Sequence, residues 1–272
     1  MKTRAITGFF FIIVMLASVL LGPIVFGVFF LALSLLCLHE FYGLNIKSGI
    51  SVNRRSGFVN AILIYAFFAL IVYQQQSAHI EYGFIFLLTL SMSSVFIFEL
   101  FKISVAPLTN IAYTILGLVF VTVPFTFFNA LAFIGQGYNF HIPLAFLLML
   151  WANDTGAYLV GMSIGRHKLF ERHSPKKTWE GFIGGVAISA GVGLIISRYY
   201  TELSWNHWVI MAVLIGTFGT LGDLVESMFK RSINIKDSGG ILPGHGGLLD
   251  RFDGFLMAAP IVYTYLYFIL NA

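Results

Sequence analysis

The sequence predicts an all-α polytopic membrane protein with about nine transmembrane helices, and its composition is the first reason. Of the 272 residues, 58% are hydrophobic and only 10% are charged, and the mean hydropathy is +0.87. A soluble domain carries about 25% charged residues and cannot bury so much apolar surface. A disordered chain has the opposite balance. The single cysteine, Cys37, excludes a disulfide-stabilised secreted scaffold.

The second reason is the length of the apolar stretches, since a helix needs about 20 mostly apolar residues to cross a bilayer. Gly22 and Pro23 form a turn signal, which favours two helices there over one kinked helix. The first stretch also resembles a signal peptide, but no convincing cleavage site follows it, so we expect it to be retained. Completed by interfacial residues, the nine predicted spans are 6–21, 24–38, 58–73, 84–98, 112–128, 142–160, 181–197, 209–224 and 255–270.

The third reason is the distribution of Lys and Arg, which favour cytoplasmic segments. If the N-terminus is cytoplasmic and the C-terminus lies on the opposite side, 15 of the 16 basic residues fall in cytoplasmic segments, and Arg198 is the exception. This asymmetry accounts for the pI of about 9.1 without a nucleic-acid partner. No organelle-targeting segment is recognisable, so we expect a bacterial inner membrane.

We expect one integral-membrane domain over 1–272, in which 1–140 are scaffold helices and 141–272 carry the function. The cytoplasmic loops at 161–180 and 228–254 are rich in Gly, His and carboxylates. Two carboxylates, Glu40 and Glu99, end the second and fourth predicted spans. Because they lie near the membrane interface, the simplest interpretation is a solvated helix end.

Carboxylates within the later spans are functional candidates, because burying one in a bilayer costs several kcal/mol unless it faces protein or water. Asp154 lies near the end of the sixth span, and Asp223 and Glu226 lie at the end of the eighth. On a continuing helix, Asp223, Glu226, Ser227 and Lys230 form one polar stripe. Ion pairs with Lys230 are the alternative, although they do not explain an aspartate as deep as Asp223.

A glycine-rich loop follows this stripe, with five glycines over 232–247. Glycine permits positive φ and close approach of backbone N–H groups to a ligand, and such groups beside Lys and Arg can bind an anion. Asp250 and Asp253 follow at a spacing of three. Mg²⁺ is usually held by one or two carboxylates plus substrate phosphates. The pattern therefore predicts phosphate chemistry, with a loop that merely packs as the alternative.

The other long loop contains Ser174-Pro175-Lys176-Lys177-Thr178. Ser followed by Pro is typical of a helix N-cap with proline at the first helical position. A helix starting there, next to two lysines, would bind a phosphate. The alternative is a basic cluster that only sets the topology.

These motifs together resemble those of one enzyme family. The stretch from Ser227 through Lys230-Arg231, Lys236-Asp237 and Pro243-Gly244-His245-Gly246-Gly247 to Asp250-Arg251 and Asp253 resembles the signature of CDP-diacylglycerol synthase, also called phosphatidate cytidylyltransferase. Trp151-x-x-Asp154-Thr155-Gly156-Ala157-Tyr158 and 174–181 also resemble that family. The resemblance is strong over about 150–254 and only topological over 1–140.

The resemblance implies a reaction in which CTP and phosphatidic acid give CDP-diacylglycerol and pyrophosphate. It also implies Mg²⁺, with a monovalent cation such as K⁺ beside it, and a homodimer in which 1–140 contribute to the interface. The aspartates matching Asp223 and Asp250 are expected to hold the metal, with Asp253 as a third ligand or an orienting group. Asp154 is expected to orient the cations or the metal-bound water.

The remaining candidates are expected to bind substrate at the cytoplasmic face. Lys230 and Arg231 are assigned to the phosphates during catalysis. The expected substrate-binding residues are Ser174, Lys176, Lys177, Thr178, Lys236, His245, Gly246, Gly247 and Arg251. Two other functions stay open: a CTP-dependent lipid-alcohol kinase, which would release CDP, and an ion-coupled transporter with Asp154 and Asp223 as a relay.

Overall fold

The computed structural model describes residues 2–74, 83–135, 137–235, 237–240 and 246–270, without the side chains of 2–6, 74 and 83–85. These residues are mainly helical. The helices are α1 Lys2–Leu20, α2 Pro23–Lys47, α3 Arg54–Gln74, α4 Gly83–Leu100, α5 Pro107–Gly117, α6 Val123–Leu131, α7 His141–Ile164, α8 Trp179–Ile196, α9 Trp205–Ser232 and α10 Leu249–Leu270. A π-helical turn, Leu118–Thr122, joins α5 to α6 without a break.

Each predicted span corresponds to one continuous helical segment within the described residues. Seven of these segments are long and apolar enough to cross a membrane, and α1 and α4 have shorter apolar parts, Thr7–Leu20 and Phe86–Leu100. The chain is therefore an integral membrane protein. Most helices extend beyond the predicted ranges, because polar residues at the interface continue the helix past the apolar window.

The break between α1 and α2 confirms two helices rather than one kinked helix. Gly22 adopts a φ of 100°, which is a left-handed conformation that side chains disfavour. Pro23 then takes the first position of α2, where its missing N–H leaves no hydrogen bond unmade.

The residues group into two compact units. The first comprises Met1–Asn139 with Asp237–Leu249, and the second comprises Phe140–Lys236 with Asp250–Ala272. In the first unit, the rings of Phe26, Phe30 and Phe128 pack with centroids 4.7–5.6 Å apart. The Tyr42 hydroxyl donates to the Thr114 carbonyl at 2.7 Å, which ties α2 to α5.

Small residues bring α7, α8 and α9 together in the second unit. A Cβ added at Gly185 in α8 would lie 2.7 Å from the Asn153 carbonyl and 2.9 Å from the Ala157 Cβ in α7. A Cβ added at Gly216 in α9 would lie 2.8 Å from the Asn153 side-chain oxygen. Membrane helices associate through such close backbone approach.

A two-stranded ribbon lies within this otherwise helical fold, and it corrects the predicted helix start at Ser174. Lys168–Phe170 (β1) pairs antiparallel with Ser174–Thr178 (β2). Helix α8 begins only at Trp179, with Thr178 as its N-cap accepting the Gly181 N–H at 3.2 Å. Pro175 is tolerated in a ribbon because an edge strand leaves N–H positions unpaired. Thr178 is the effective cap because its hydroxyl reaches a free N–H of the first turn.

We predict that Gly185→Ala destabilises the second unit by about 1–3 kcal/mol, because the added methyl group overpacks the contact between α7 and α8. The check is thermal unfolding in detergent, followed by tryptophan fluorescence. Gly191→Ala, also in α8, is the matched control, because none of the described atoms lies within 4 Å of its added Cβ. Equal melting temperatures for both variants would contradict the packing assigned to Gly185.

Candidate active site

A cavity of about 460 Å³ lies in the second unit, where α7, the ribbon, α8 and α9 meet. It brings together predicted site residues from three separate parts of the sequence. The lining residues are Asn153, Asp154, Ala157, Tyr158, Gly161, Met162, Leu169, Lys176, Lys177, Thr178, Gly181, Phe182, Thr220 and Asp223.

The centre of this cavity is an ion pair between Lys177 and Asp223. The Ser227 hydroxyl, one turn further along α9, donates to Asp223 at 3.2 Å. Asp154 on α7 interacts electrostatically with both Lys177 and Asp223. Lys177 thus stands beside two carboxylates, and Lys176 is a second lysine in the lining of the cavity.

The backbone around the ribbon places the two lysines at the cavity. A Cβ added at Gly165 would lie 2.7 Å from the Thr178 hydroxyl, and one added at Gly181 would lie 2.8 Å from the Ala157 carbonyl. Glu180 accepts the backbone N–H groups of Arg166 at 3.1 Å and His167 at 3.2 Å. The ribbon that carries Lys176 and Lys177 is therefore tied to the start of α8.

A second charged cluster lies on α9 and α10. The Lys230 ammonium contacts Glu226 at 2.5 Å and Asp250 at 2.6 Å. Glu226 is only 1% exposed, so its charge depends on Lys230 for compensation. Glu226 was a functional candidate through its place in the polar stripe but was assigned no metal or substrate role, and the ion pair with Lys230 is the alternative considered for that stripe.

Asp253 connects the two clusters electrostatically. Its carboxylate interacts with Asp223, Glu226 and Asp154, and it accepts the Gly254 N–H at 2.6 Å. The close approach of α9 to α10 depends on Gly222, because a Cβ there would contact the Asp253 carbonyl and lie 3.1 Å from the Gly254 Cα. Carboxylates of α7, α9 and α10 therefore lie within reach of each other.

Other predicted residues lie apart from this cavity or outside the described part. Ser174 begins β2 and does not line the cavity. Arg231 is exposed and donates to the Ile235 carbonyl at 3.0 Å, and Arg251 is also exposed. Lys236 and His245 lie outside the described residues. Gly246, with a φ of 83°, and Gly247 belong to the first unit.

Two of the three predicted metal ligands are engaged by lysines. Asp223 pairs with Lys177 and Asp250 with Lys230. Among the described residues, no group of three or more His, Cys, Asp or Glu side chains has the spacing of a metal site. An ammonium group and a metal ion compete for the same carboxylate oxygens, so a cation would have to displace or join these lysines.

Known proteins are similar to this chain over almost its whole length. A family model described as the cytidylyltransferase family matches residues 2–269. The chain is 36% identical over 266 residues to the phosphatidate cytidylyltransferase of Staphylococcus aureus strain COL, covering 96% of this chain and 97% of that protein. It is 35% identical, over the same shares, to the phosphatidate cytidylyltransferase of Staphylococcus haemolyticus strain JCSC1435. The family resemblance of the motifs is thereby confirmed, and the chain belongs to the phosphatidate cytidylyltransferase family of nucleotidyltransferases.

Proposed function

We propose that this protein transfers a cytidylyl group from CTP to phosphatidic acid at the cytoplasmic face of a bacterial inner membrane. The supporting observation is the cavity where Lys177 of the ribbon meets Asp154 and Asp223, which lie within two membrane-spanning helices. The names of its relatives support the two substrates. We also propose that the protein forms a homodimer, as the motif resemblance implies.

The lining of the cavity suits a lipid that carries a phosphate. Tyr158 and Met162 both line it, and each is 66% exposed. These apolar side chains would face acyl chains, while Lys176 and Lys177 would face a phosphate. A substrate whose tail stays in the bilayer could thus present its headgroup to a soluble nucleotide.

The reaction needs charge compensation more than proton transfer. A phosphatidate oxygen attacks the α-phosphorus of CTP, a new P–O bond forms, and the bond to the β-phosphate breaks to release pyrophosphate. The nucleophile is already an anion, so no strong general base is required. The barrier comes from repulsion between the two anions and from charge developing on pyrophosphate, which positioned cations reduce.

The acidic residues have the donor chemistry of a divalent-cation site, although the described side chains are not spaced as one. Asp154, Asp223 and Asp253 are hard oxygen donors that lie close enough to repel each other, and such sets suit Mg²⁺. We propose that Asp223 and Asp250 hold Mg²⁺, with Asp253 beside them and K⁺ as a second cation. Bound there, the metal would neutralise charge on the phosphates.

The lysines would contribute by exchanging partners when substrate binds. Lys177 compensates Asp223 and could transfer to a phosphate once another cation satisfies that carboxylate. Lys230 forms ion pairs with both Asp250 and Glu226. These ion pairs would fix the direction of the Asp250 side chain. Asp154 would keep the Lys177 ammonium in the cavity through its negative charge.

We predict that the purified protein converts labelled CTP and phosphatidate to CDP-diacylglycerol and pyrophosphate when Mg²⁺ is present. A chelator should stop turnover, and added Mg²⁺ should restore it. Release of CDP with a phosphorylated lipid alcohol would favour the kinase instead. Ion flux across vesicles without nucleotide turnover would favour the transporter.

We predict that Asp223→Asn and Asp250→Asn each lower kcat by about 10²-fold or more, because each removes charge that holds cations at the phosphates. Glu202→Gln is the matched control, because Glu202 pairs with His141. His141 begins α7, thirteen residues before Asp154 and so about 20 Å away along the helix. Full activity in either aspartate variant, with the fold intact, would refute the metal assignment.

We predict that Lys176→Ala raises the KM for CTP or for phosphatidate by about tenfold, the effect of losing one charge-assisted hydrogen bond. Lys168→Ala is the control, because this exposed lysine lies on the other strand of the ribbon and does not line the cavity. Steady-state kinetics in mixed micelles provide the measurement. If both variants behaved like the unaltered protein, the ribbon lysines would be topology anchors.

A further inference from the structure

Glu40 is buried in the first unit, contrary to the solvated helix end that we expected. It lies on α2, which continues for seven residues beyond it to Lys47, and it is only 5% exposed. Burying a carboxylate without compensation is costly. Its contacts therefore have to explain why a charged group occupies this position.

The Glu40 carboxylate contacts residues on both sides of the glycine-rich loop, close to Gly239 and Gly247. It accepts the Leu249 backbone N–H at 2.8 Å and lies 3.4 Å from the Ser238 hydroxyl. Leu249 is the first residue of α10, so its N–H is one of those that a helix start leaves unpaired. A negative charge there also interacts favourably with the helix dipole.

Two glycines of the loop are required by this contact. A Cβ added at Gly239 would overlap the Glu40 carboxylate, and a Cβ added at Gly247 would lie 2.7 Å from its Oε2 atom. By contrast, none of the described atoms lies within 4 Å of a Cβ added at Gly240. The described residues at the two ends of the loop therefore pack closely against a carboxylate from a distant part of the chain.

We propose that Glu40 is a positioning residue for Asp250, which deepens the proposed function and rests on it. Its carboxylate fixes Ser238, Gly239 and Gly247 at the loop and caps the first turn of α10. Asp250 is the second residue of that helix, directly after Leu249. Holding the Leu249 N–H therefore restricts where the Asp250 carboxylate can lie.

This role differs from plain stabilisation in the kinetic constants that it affects. Asp250 is proposed to act on charge that develops during phosphoryl transfer. A displaced Asp250 should therefore lower kcat more than it changes the KM for CTP, and small displacements near reacting groups can cost about 10²-fold. A residue that only stabilised the fold would lower the melting temperature and leave the kcat of the folded fraction unchanged.

The first test compares Glu40→Ala, Glu40→Gln and the unaltered protein. We expect Glu40→Ala to lower kcat by about tenfold or more, with a KM for CTP within about threefold. Glu40→Gln keeps an oxygen that can accept the Leu249 N–H, so it should recover part of the lost kcat. Melting temperatures are measured on the same samples.

Glu99→Ala is the matched control for loss of a buried carboxylate. Glu99 is 3% exposed, lies in the same unit, and accepts from the Asn110 side chain at 2.6 Å. Its ion-pair partner is Lys102, three residues along the chain and 3.6 Å away, and neither of these partners belongs to the glycine-rich loop. We expect this variant to be less stable but to keep its kcat within about twofold, since it leaves the α10 start untouched.

The second test changes the glycines that face Glu40. It tests the positioning role even if Glu40→Ala does not fold. Gly239→Ala should lower kcat, whereas Gly240→Ala should not. In the Glu40→Ala background, the carboxylate that the new methyl group meets is gone. Gly239→Ala should therefore cause little further loss, and this non-additivity identifies direct contact.

The outcomes separate this inference from the proposed function. An unaltered protein that forms no CDP-diacylglycerol would overturn the proposed function itself. An active unaltered protein with unchanged kcat in Glu40→Ala would overturn only the positioning role. If Glu40→Ala is unfolded, unchanged kcat in Gly239→Ala would overturn the positioning role in its place.

Discussion

The second unit is organised around carboxylates that lie within its membrane-spanning helices and whose charges have to be compensated. Asp154, Asp223 and Asp253 come from three helices and interact electrostatically with each other, and their like charges repel. The ion pair of Lys177 with Asp223 offsets part of that repulsion. The close helix contacts at Gly222 and Gly185 make this arrangement possible. Bulkier residues there would push the helices apart, so the carboxylates would no longer need shared cations.

The same constraint connects the fold to the chemistry of the family. Joining two phosphate anions requires a concentration of cations, and their binding site requires carboxylates that no single lysine neutralises. The described charged side chains form two such clusters, one around Lys177 and one around Lys230. In the first unit, the buried Glu40 carboxylate is held by the Leu249 backbone N–H and by the Ser238 hydroxyl.

Local patterns predicted most of the fold and part of the candidate site. The length of the apolar stretches was sufficient to predict the helices, and Gly22-Pro23 was sufficient to predict the turn between α1 and α2. The resemblance of the motifs pointed to Asp154, Lys177 and Asp223, which line one cavity. The start of α8 was mispredicted, because Ser174 and Thr178 both have cap chemistry and only the ribbon pairing selects Thr178. The role of Glu40 was missed, because its partner Leu249 is 209 residues away and no local pattern reveals such a contact.

The proposed function requires the acidic cluster to bind a divalent cation together with the nucleotide. Titration of the detergent-purified protein with Mn²⁺, a Mg²⁺ substitute whose free form is quantified by electron paramagnetic resonance, measures this binding with and without CTP. We expect Mn²⁺ binding that CTP strengthens and that Asp223→Asn weakens by at least about tenfold, while Glu202→Gln leaves it unchanged. Equal Mn²⁺ binding by the unaltered protein and by Asp223→Asn would exclude a cation site at Asp223.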